Sequence, residues 1–158
     1  MLSVIIAGGV GERFWPRSRR KTPKQLLDLT GKGSMIALTV ERVLGVARPD
    51  EILVLTTAAQ HEVLATELAG RVPPENIIAE PVGRNTAASI GLAAVLIRQR
   101  FGNEPFMILP ADHLVGDSDR YQELTRAAEE YTNHHDCLLT FGIEPSRPET
   151  GYGYIKVG

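Results

Sequence analysis

The chain has 158 residues, 43% of them hydrophobic and 23% charged, with a formal net charge of −2 at pH 7. This composition is typical of one globular domain with a hydrophobic core, and it lacks the basic excess of a general nucleic-acid binder. The single cysteine, Cys137, excludes an internal disulfide and a cysteine-based metal site, and the apolar run at residues 2–7 is too short for a membrane span. We therefore expect a cytoplasmic protein that binds neither nucleic acid nor a membrane.

Short apolar runs alternate with longer amphipathic segments along the chain. The predicted strands comprise residues 2–7, 51–56, 77–79, 106–109 and 137–141, and the predicted helices comprise residues 35–44, 58–69, 87–101 and 118–132. We expect Thr57 and Ser118 to cap the second and fourth helices. Strands that alternate with helices pair in parallel through right-handed crossovers. The pattern therefore predicts an α/β fold, with a Rossmann-like, mostly parallel sheet and helices on both faces.

A glycine-rich loop with a basic stretch follows the first predicted strand. Its glycines are Gly8, Gly9 and Gly11, and its cationic residues are Arg13, Arg17, Arg19, Arg20, Lys21 and Lys24. Glycines let backbone N–H groups approach phosphate oxygens, and cationic side chains neutralise their charge, so the loop predicts a polyphosphate site. The loop lacks the Gly-Lys-Ser/Thr of a Walker A motif, and Phe14 stands where a dinucleotide fingerprint has its third glycine. A glycine-rich turn followed by a solvated basic stretch is the structural alternative.

Two further segments begin where later strands end, and ligands of such sheets bind at the carboxyl ends of strands. In residues 80–86, a helix start can receive acceptor atoms of a ligand, and Asn85 can donate to and accept from a base edge. A capped turn is the alternative there. In residues 109–113, Asp112 offers the oxygen ligands that Mg²⁺ prefers, or else it caps a turn.

The last segment, residues 149–154, is rich in glycine and tyrosine. Such a segment can form a surface for a sugar ring, or a strand-edge turn with a tyrosine packed over it. The chain ends at Gly158, where the residues after Gly151 begin a strand-like pattern. We therefore expect a fragment of a longer protein.

The motifs in this order resemble those of sugar-phosphate nucleotidyltransferases. The first runs from Gly8 to Pro16 and continues at Pro23-Lys24-Gln25, and by itself it indicates only the nucleotidyltransferase superfamily. Residues 13–19, 80–87, 110–113 and 150–155 narrow the resemblance to the mannose-1-phosphate guanylyltransferase family. The match covers nearly the whole chain. It implies that residues 1–158 are the N-terminal part of a nucleotidyltransferase catalytic domain.

The resemblance implies transfer of GMP from GTP to mannose-1-phosphate, giving GDP-mannose and pyrophosphate, with Mg²⁺ or another divalent cation as cofactor. Arg13 would hold the triphosphate and stabilise the departing pyrophosphate, and Lys24 would neutralise charge at the α-phosphate. Asp112 would bind the metal ion, and Gly151 and Tyr152 would begin the sugar site. Nucleotide binding is implied for Gly8, Gly9, Gly11, Glu80, Arg84, Asn85 and Thr86.

Members of this family continue well beyond the length of this chain. The resemblance implies that the remainder supplies a second metal carboxylate, most contacts to the sugar phosphate and a domain for assembly into a homo-oligomer. Three alternatives stay open: a nucleotidyltransferase for another sugar-1-phosphate or base, a non-catalytic nucleotide-sensing module, and a Rossmann-like dinucleotide binder.

Overall fold

The computed structural model describes residues 1–9, 15–19, 23–83 and 85–156. Within them, four strands form one parallel sheet in the order β3-β2-β1-β4. The strands are β1 (Leu2–Ile6), β2 (Ile52–Thr57), β3 (Ile77–Glu80) and β4 (Phe106–Pro110). Strand β1 is one of the two inner strands and pairs with both β2 and β4, so that Ile5 lies opposite Val54 and Leu109. The predicted parallel α/β sheet is confirmed.

Four helices alternate with the strands in the described residues. They are α1 (Met35–Leu44), α2 (Ala58–Glu67), α3 (Asn85–Arg100) and α4 (Ser118–His134), and short 3₁₀ turns lie at Lys24–Leu26, Pro49–Glu51 and Pro74–Asn76. The predicted helix bounds differ from these by a few residues at most. None of the described helices combines the length and the apolar character that a membrane span requires.

Of the two expected helix caps, Thr57 stands at the expected position without the expected hydrogen bond, and Ser118 is wrong. Thr57 stands at the N-cap of α2, but its side chain makes no capping hydrogen bond. The carboxylate of Asp117 caps α4, because it accepts from the backbone N–H of Arg120 at 2.9 Å. Ser118 is already the first helical residue, and a capping side chain must stand one position earlier to reach the free N–H groups.

The hydrophobic core lies on both faces of the sheet, because successive strand residues point to opposite faces. On one face, Ile5 belongs to a buried cluster with Val40 of α1 and Leu64 of α2. On the other face, Val4 belongs to a cluster with Ile97 of α3. The helices predicted on both faces are therefore confirmed, and packing from both sides holds the strand ends in position.

The fifth predicted strand, at residues 137–141, is wrong. Residues 137–156 contain neither helix nor strand, and Leu138 and Ile143 are almost completely exposed. The apolar composition of this segment is typical of a buried strand, but a strand also needs a neighbouring strand to pair with. The ring of Phe141 lies near α4, since its centroid is 6.5 Å from that of the Tyr121 ring.

Candidate functional site

Three strands bring residues of the predicted site to one edge of the sheet. Gly8 and Gly9 follow β1, Glu80 ends β3, and Asp112 follows β4. Because the strands are parallel, their carboxyl ends lie along the same edge, where ligands bind in folds of this kind. Lys24 joins this edge from the start of the 3₁₀ turn Lys24–Leu26.

The ammonium group of Lys24 forms an ion pair with the carboxylate of Asp112, which lies 88 residues further along the chain. Both side chains keep contact with solvent, with 22% of Lys24 and 25% of Asp112 exposed. Gly9 lies against the same lysine, since a Cβ built on it would be 3.3 Å from Lys24 Cε. The predicted catalytic lysine, the predicted metal ligand and a glycine of the predicted phosphate loop therefore form one cluster.

A second cluster surrounds Glu80, which is 7% exposed. The hydroxyl of Ser89, on α3, donates a hydrogen bond to Glu80 Oε1, and the carbonyl oxygen of Asn85 lies 3.3 Å from the same hydroxyl. Glu80 Oε2 faces the glycine loop, where it would be 3.1 Å from a Cβ built on Gly8. The carboxylate can hold this position because residue 8 has no side chain.

Two buried glutamines hold the start of the glycine loop. Gln25 Nε2 donates to the carbonyl groups of Ala7 and Gly9 at 2.9 and 3.0 Å, and Gln60 Nε2 donates to that of Gly9 at 3.4 Å. Thr56 Oγ1 donates to the carbonyl of Ala7 at 3.2 Å. The Oε1 atoms of both glutamines are buried and have no hydrogen-bond partner in the described part of the chain. Side chains from three segments thus fix the backbone at the end of β1.

Two buried polar residues of α1 contact the carbonyl groups on either side of Asp112. Thr39 Oγ1 donates to Ala111 at 3.3 Å, and Arg42 Nη1 donates to His113 at 3.4 Å. Arg42 Nη2 also donates to Thr39 Oγ1 at 3.4 Å, which links the two side chains. They fix the backbone at Asp112 and bring a buried positive charge to its loop.

The structure does not bring every predicted residue to these clusters. Gly151 and Tyr152 lie in residues 137–156, where both donate backbone hydrogen bonds to Glu149 and Tyr152 is 75% exposed. Asn85 and Thr86 begin α3 with exposed side chains, so that Asn85 joins the Glu80 cluster by its carbonyl group and not by its amide side chain. Asn85 adopts a left-handed backbone conformation with φ of 62°. Three predicted residues lie outside the described residues: Gly11, Arg13 and Arg84. The roles assigned to all these residues stay predictions.

On α1, α2 and α3, four residues of these clusters received no role from the sequence: Thr39, Arg42, Gln60 and Ser89. Thr39, Gln60 and Ser89 have helical spacing to buried apolar residues, and the sequence alone shows this spacing. Ser89 is buried on α3 with Ala93 and Ile97, and Gln60 is buried on α2 with Leu64. A polar residue on the buried face of a helix must find a hydrogen-bond partner, and near a strand end that partner lies in the site.

The chain matches the family model described as nucleotidyl transferase over residues 2–158. It belongs to the nucleotidyl transferase family. This nucleotidyl transferase chain is 43% identical over 161 residues to a mannose-1-phosphate guanylyltransferase of Escherichia coli, with 100% of the chain and 33% of that protein covered. It is 40% identical over 160 residues to the xanthan biosynthesis protein XanB of Xanthomonas campestris pv. campestris, with 100% of the chain and 34% of that protein covered.

A solved structure supports the same family. The crystal structure of a Thermus thermophilus protein described as mannose-1-phosphate geranyltransferase matches with a TM-score of 0.73 at 33% identity. The match covers 84% of the nucleotidyl transferase chain and 38% of that protein's chain. The chain spans about a third of the length of the curated relatives that it matches.

Proposed function

We propose that the protein containing this chain transfers GMP from GTP to mannose-1-phosphate, giving GDP-mannose and pyrophosphate. The observation that carries the proposal is the Lys24–Asp112 ion pair beside Gly9, at the carboxyl ends of β1 and β4. A cation, an oxygen ligand for a metal ion and a glycine that permits close approach are the groups that a triphosphate requires. A relative named mannose-1-phosphate guanylyltransferase supports the choice of substrates.

The proposed reaction is a displacement at phosphorus. An oxygen of mannose-1-phosphate forms a bond to the α-phosphorus of GTP, and the bond from that phosphorus to the oxygen bridging to the β-phosphate breaks. Pyrophosphate leaves with the electron pair of the broken bond. Such a transfer depends on positioning and charge neutralisation more than on a covalent nucleophile. Lys24 supplies positive charge at the α-phosphate, and Arg13 supplies it at the departing pyrophosphate.

Asp112 is the residue proposed to hold Mg²⁺ or another divalent cation. The described residues contain no group of three or more His, Cys, Asp or Glu side chains that could hold a metal ion. Mg²⁺ often takes one or two carboxylates and completes its shell with phosphate oxygens and water, so one partly exposed carboxylate fits it. When bound, the cation supplies positive charge to the phosphate oxygens.

The Glu80 cluster is proposed to lie beside the guanosine. A carboxylate accepts hydrogen bonds, and the pairing edge of guanine carries N–H donors. Because the chain spans about a third of its curated relatives, the completion of the sugar site at Gly151 and Tyr152 is proposed to come from the remainder of the protein. Self-association is a further proposal for the whole protein.

The test uses the full-length protein and measures pyrophosphate release from GTP and mannose-1-phosphate in the presence of MgCl₂. We expect Lys24→Ala to lower kcat on the order of 10²- to 10³-fold, because one preorganised charge at the transition state is lost. The matched control is Lys32→Ala, which removes an exposed lysine from the segment before α1 and should leave kcat unchanged.

The outcomes separate the alternatives. No pyrophosphate release above background with any common sugar-1-phosphate contradicts the proposed enzyme, and GTP binding without turnover indicates a sensing module instead. Release that depends on a different sugar-1-phosphate or a different nucleoside triphosphate indicates another specificity. Unchanged turnover in Lys24→Ala removes Lys24 from the mechanism.

A further inference from the structure

Glu80 is a buried carboxylate with few partners. Ser89 donates to its Oε1, and no ion pair joins Glu80 to a cationic side chain within residues 1–9, 15–19, 23–83 and 85–156. A buried carboxylate is costly unless further hydrogen-bond donors reach it. Its second oxygen, Oε2, faces Gly8 at the edge of the sheet where ligands of such folds bind. This oxygen is therefore placed for a donor that comes from a ligand.

Ser89 determines how the carboxylate is oriented. It lies on the buried face of α3 with Ala93 and Ile97, where alanine would be the better helix former. Its single hydroxyl proton has two acceptors within reach, the carboxylate of Glu80 and the carbonyl oxygen of Asn85 at 3.3 Å. A charged acceptor forms the stronger hydrogen bond, so the proton goes to Glu80. Oε1 is thereby held on the helix side and Oε2 on the loop side.

We propose that Ser89 is a positioning residue for selection of the base, because it holds the carboxylate of Glu80 where it accepts hydrogen bonds from guanine. Guanine carries two neighbouring donors, the ring N1–H and the 2-amino group, on its pairing edge. Adenine has an acceptor nitrogen at the ring position, which a carboxylate repels. The inference rests on the proposed function, since it names what selects the nucleotide for that reaction.

The test is the preference of the full-length protein for GTP over inosine triphosphate, which has the same ring without the 2-amino group. We expect the wild-type kcat/KM to be about 10-fold higher or more with GTP, because a hydrogen bond to a charged group is lost with inosine triphosphate. Ser89→Ala should lower that preference roughly 3- to 10-fold. It should raise KM for GTP and leave kcat unchanged, since contacts to the base are the same in ground and transition states.

Two further variants separate positioning from stability. Ser89→Thr keeps the hydroxyl and should restore the preference for GTP. Ser34→Ala is the matched control, because Ser34 is also buried and also donates to a glutamate, Glu67, at 2.5 Å, but does so at the start of α1. Ser34→Ala should lower the midpoint of thermal unfolding without changing the preference for GTP.

An equal preference for GTP in Ser89→Ala and wild type overturns the inference, even in a protein that makes GDP-mannose. A wild type that uses GTP and inosine triphosphate equally well overturns it too. If the full-length protein makes no GDP-mannose, the proposed function fails while the inference is decided separately by calorimetry. In that case the ratio of the two dissociation constants, measured in wild type and Ser89→Ala, supports the inference if it falls and overturns it if it does not.

Discussion

The Lys24–Asp112 pair and the Glu80–Ser89 pair lie on opposite sides of β1 and differ in their contact with water. The first joins two charged side chains that are 22% and 25% exposed. The second joins a carboxylate and a hydroxyl that are both buried. Water screens an exposed pair and lets its partners separate at little cost, whereas a buried hydrogen bond holds its partners in one geometry.

This difference indicates a division of tasks along the sheet edge. A lysine that can exchange its carboxylate for a phosphate suits charge neutralisation during the reaction. A carboxylate held rigidly by a serine suits recognition of a fixed pattern of donors. We therefore expect changes near Lys24 to lower kcat, and changes near Glu80 to raise KM for the nucleotide or to alter its selection.

The largest effect is expected from Asp112→Asn, which removes the charge proposed to hold the divalent cation. We expect kcat to fall on the order of 10²- to 10³-fold, as for the loss of other transition-state electrostatic contacts. Steady-state pyrophosphate release at saturating GTP measures it. Asp119→Asn, which changes an exposed aspartate of α4, is the matched control. A kcat within twofold of wild type would show that Asp112 does not contribute to the rate of the reaction.

Alanine at each glycine of the loop tests the two sides separately. Gly8→Ala places a Cβ 3.1 Å from Glu80 Oε2 and should raise KM for GTP about 10-fold, because the carboxylate must shift by a few tenths of an ångström. Gly9→Ala places a Cβ 3.3 Å from Lys24 Cε and should lower kcat instead. Gly116→Ala is the control, since a Cβ there meets nothing within 4 Å. Identical kinetic changes in both loop variants would contradict the division of tasks.

Arg42→Met tests whether Arg42 fixes the backbone at Asp112. Methionine keeps the apolar contacts of the arginine stem but loses the hydrogen bonds to His113 and Thr39. We expect a loss of about 1–3 kcal/mol in the free energy of unfolding, measured by urea denaturation, together with a lower kcat. The control is Arg126→Met, which removes an exposed arginine of α4. If kcat per folded molecule is unchanged, Arg42 supports the fold and not the position of Asp112.

The smallest effects are expected from the two glutamines that share the carbonyl of Gly9. Gln25→Ala loses bonds of 2.9 and 3.0 Å and should lower the free energy of unfolding by about 1–2 kcal/mol. Gln60→Ala loses one longer bond of 3.4 Å and should cost less than about 1 kcal/mol. Urea denaturation of both variants measures the order. A larger loss of unfolding free energy in Gln60→Ala than in Gln25→Ala would show that the glycine loop is held chiefly by α2.

Much of the fold could be predicted because its strands and helices carry clear periodicities. Four of the five predicted strands are present, and the parallel order places Gly8, Glu80 and Asp112 at one edge, as expected for the carboxyl ends of strands. The segment at residues 137–141 shows the limit of this reasoning. Its composition favours a strand, but composition does not supply the neighbouring strand that pairing requires.

The polar residues inside the helices were harder to predict. Thr39 and Ser89 occupy positions with helical spacing to core residues, where an amphipathic pattern indicates only burial. Their hydrogen-bond partners depend on which loop or strand end the helix packs against. For the same reason the family resemblance implied that Glu80 lies beside the guanosine but implied no partner for its carboxylate.

The sequence by itself determined the fold class, the family and the residue types at the sheet edge, because periodicity and local motifs report backbone conformation and chemistry within a short segment. Only the tertiary structure decided that Lys24 meets Asp112 across 88 residues, and that Ser89 holds Glu80 against Gly8. Such contacts depend on strand order, register and the side of the sheet on which each helix packs. Strand order, register and helix packing are set by the burial of one core that all the segments share, so no single segment of the chain determines them.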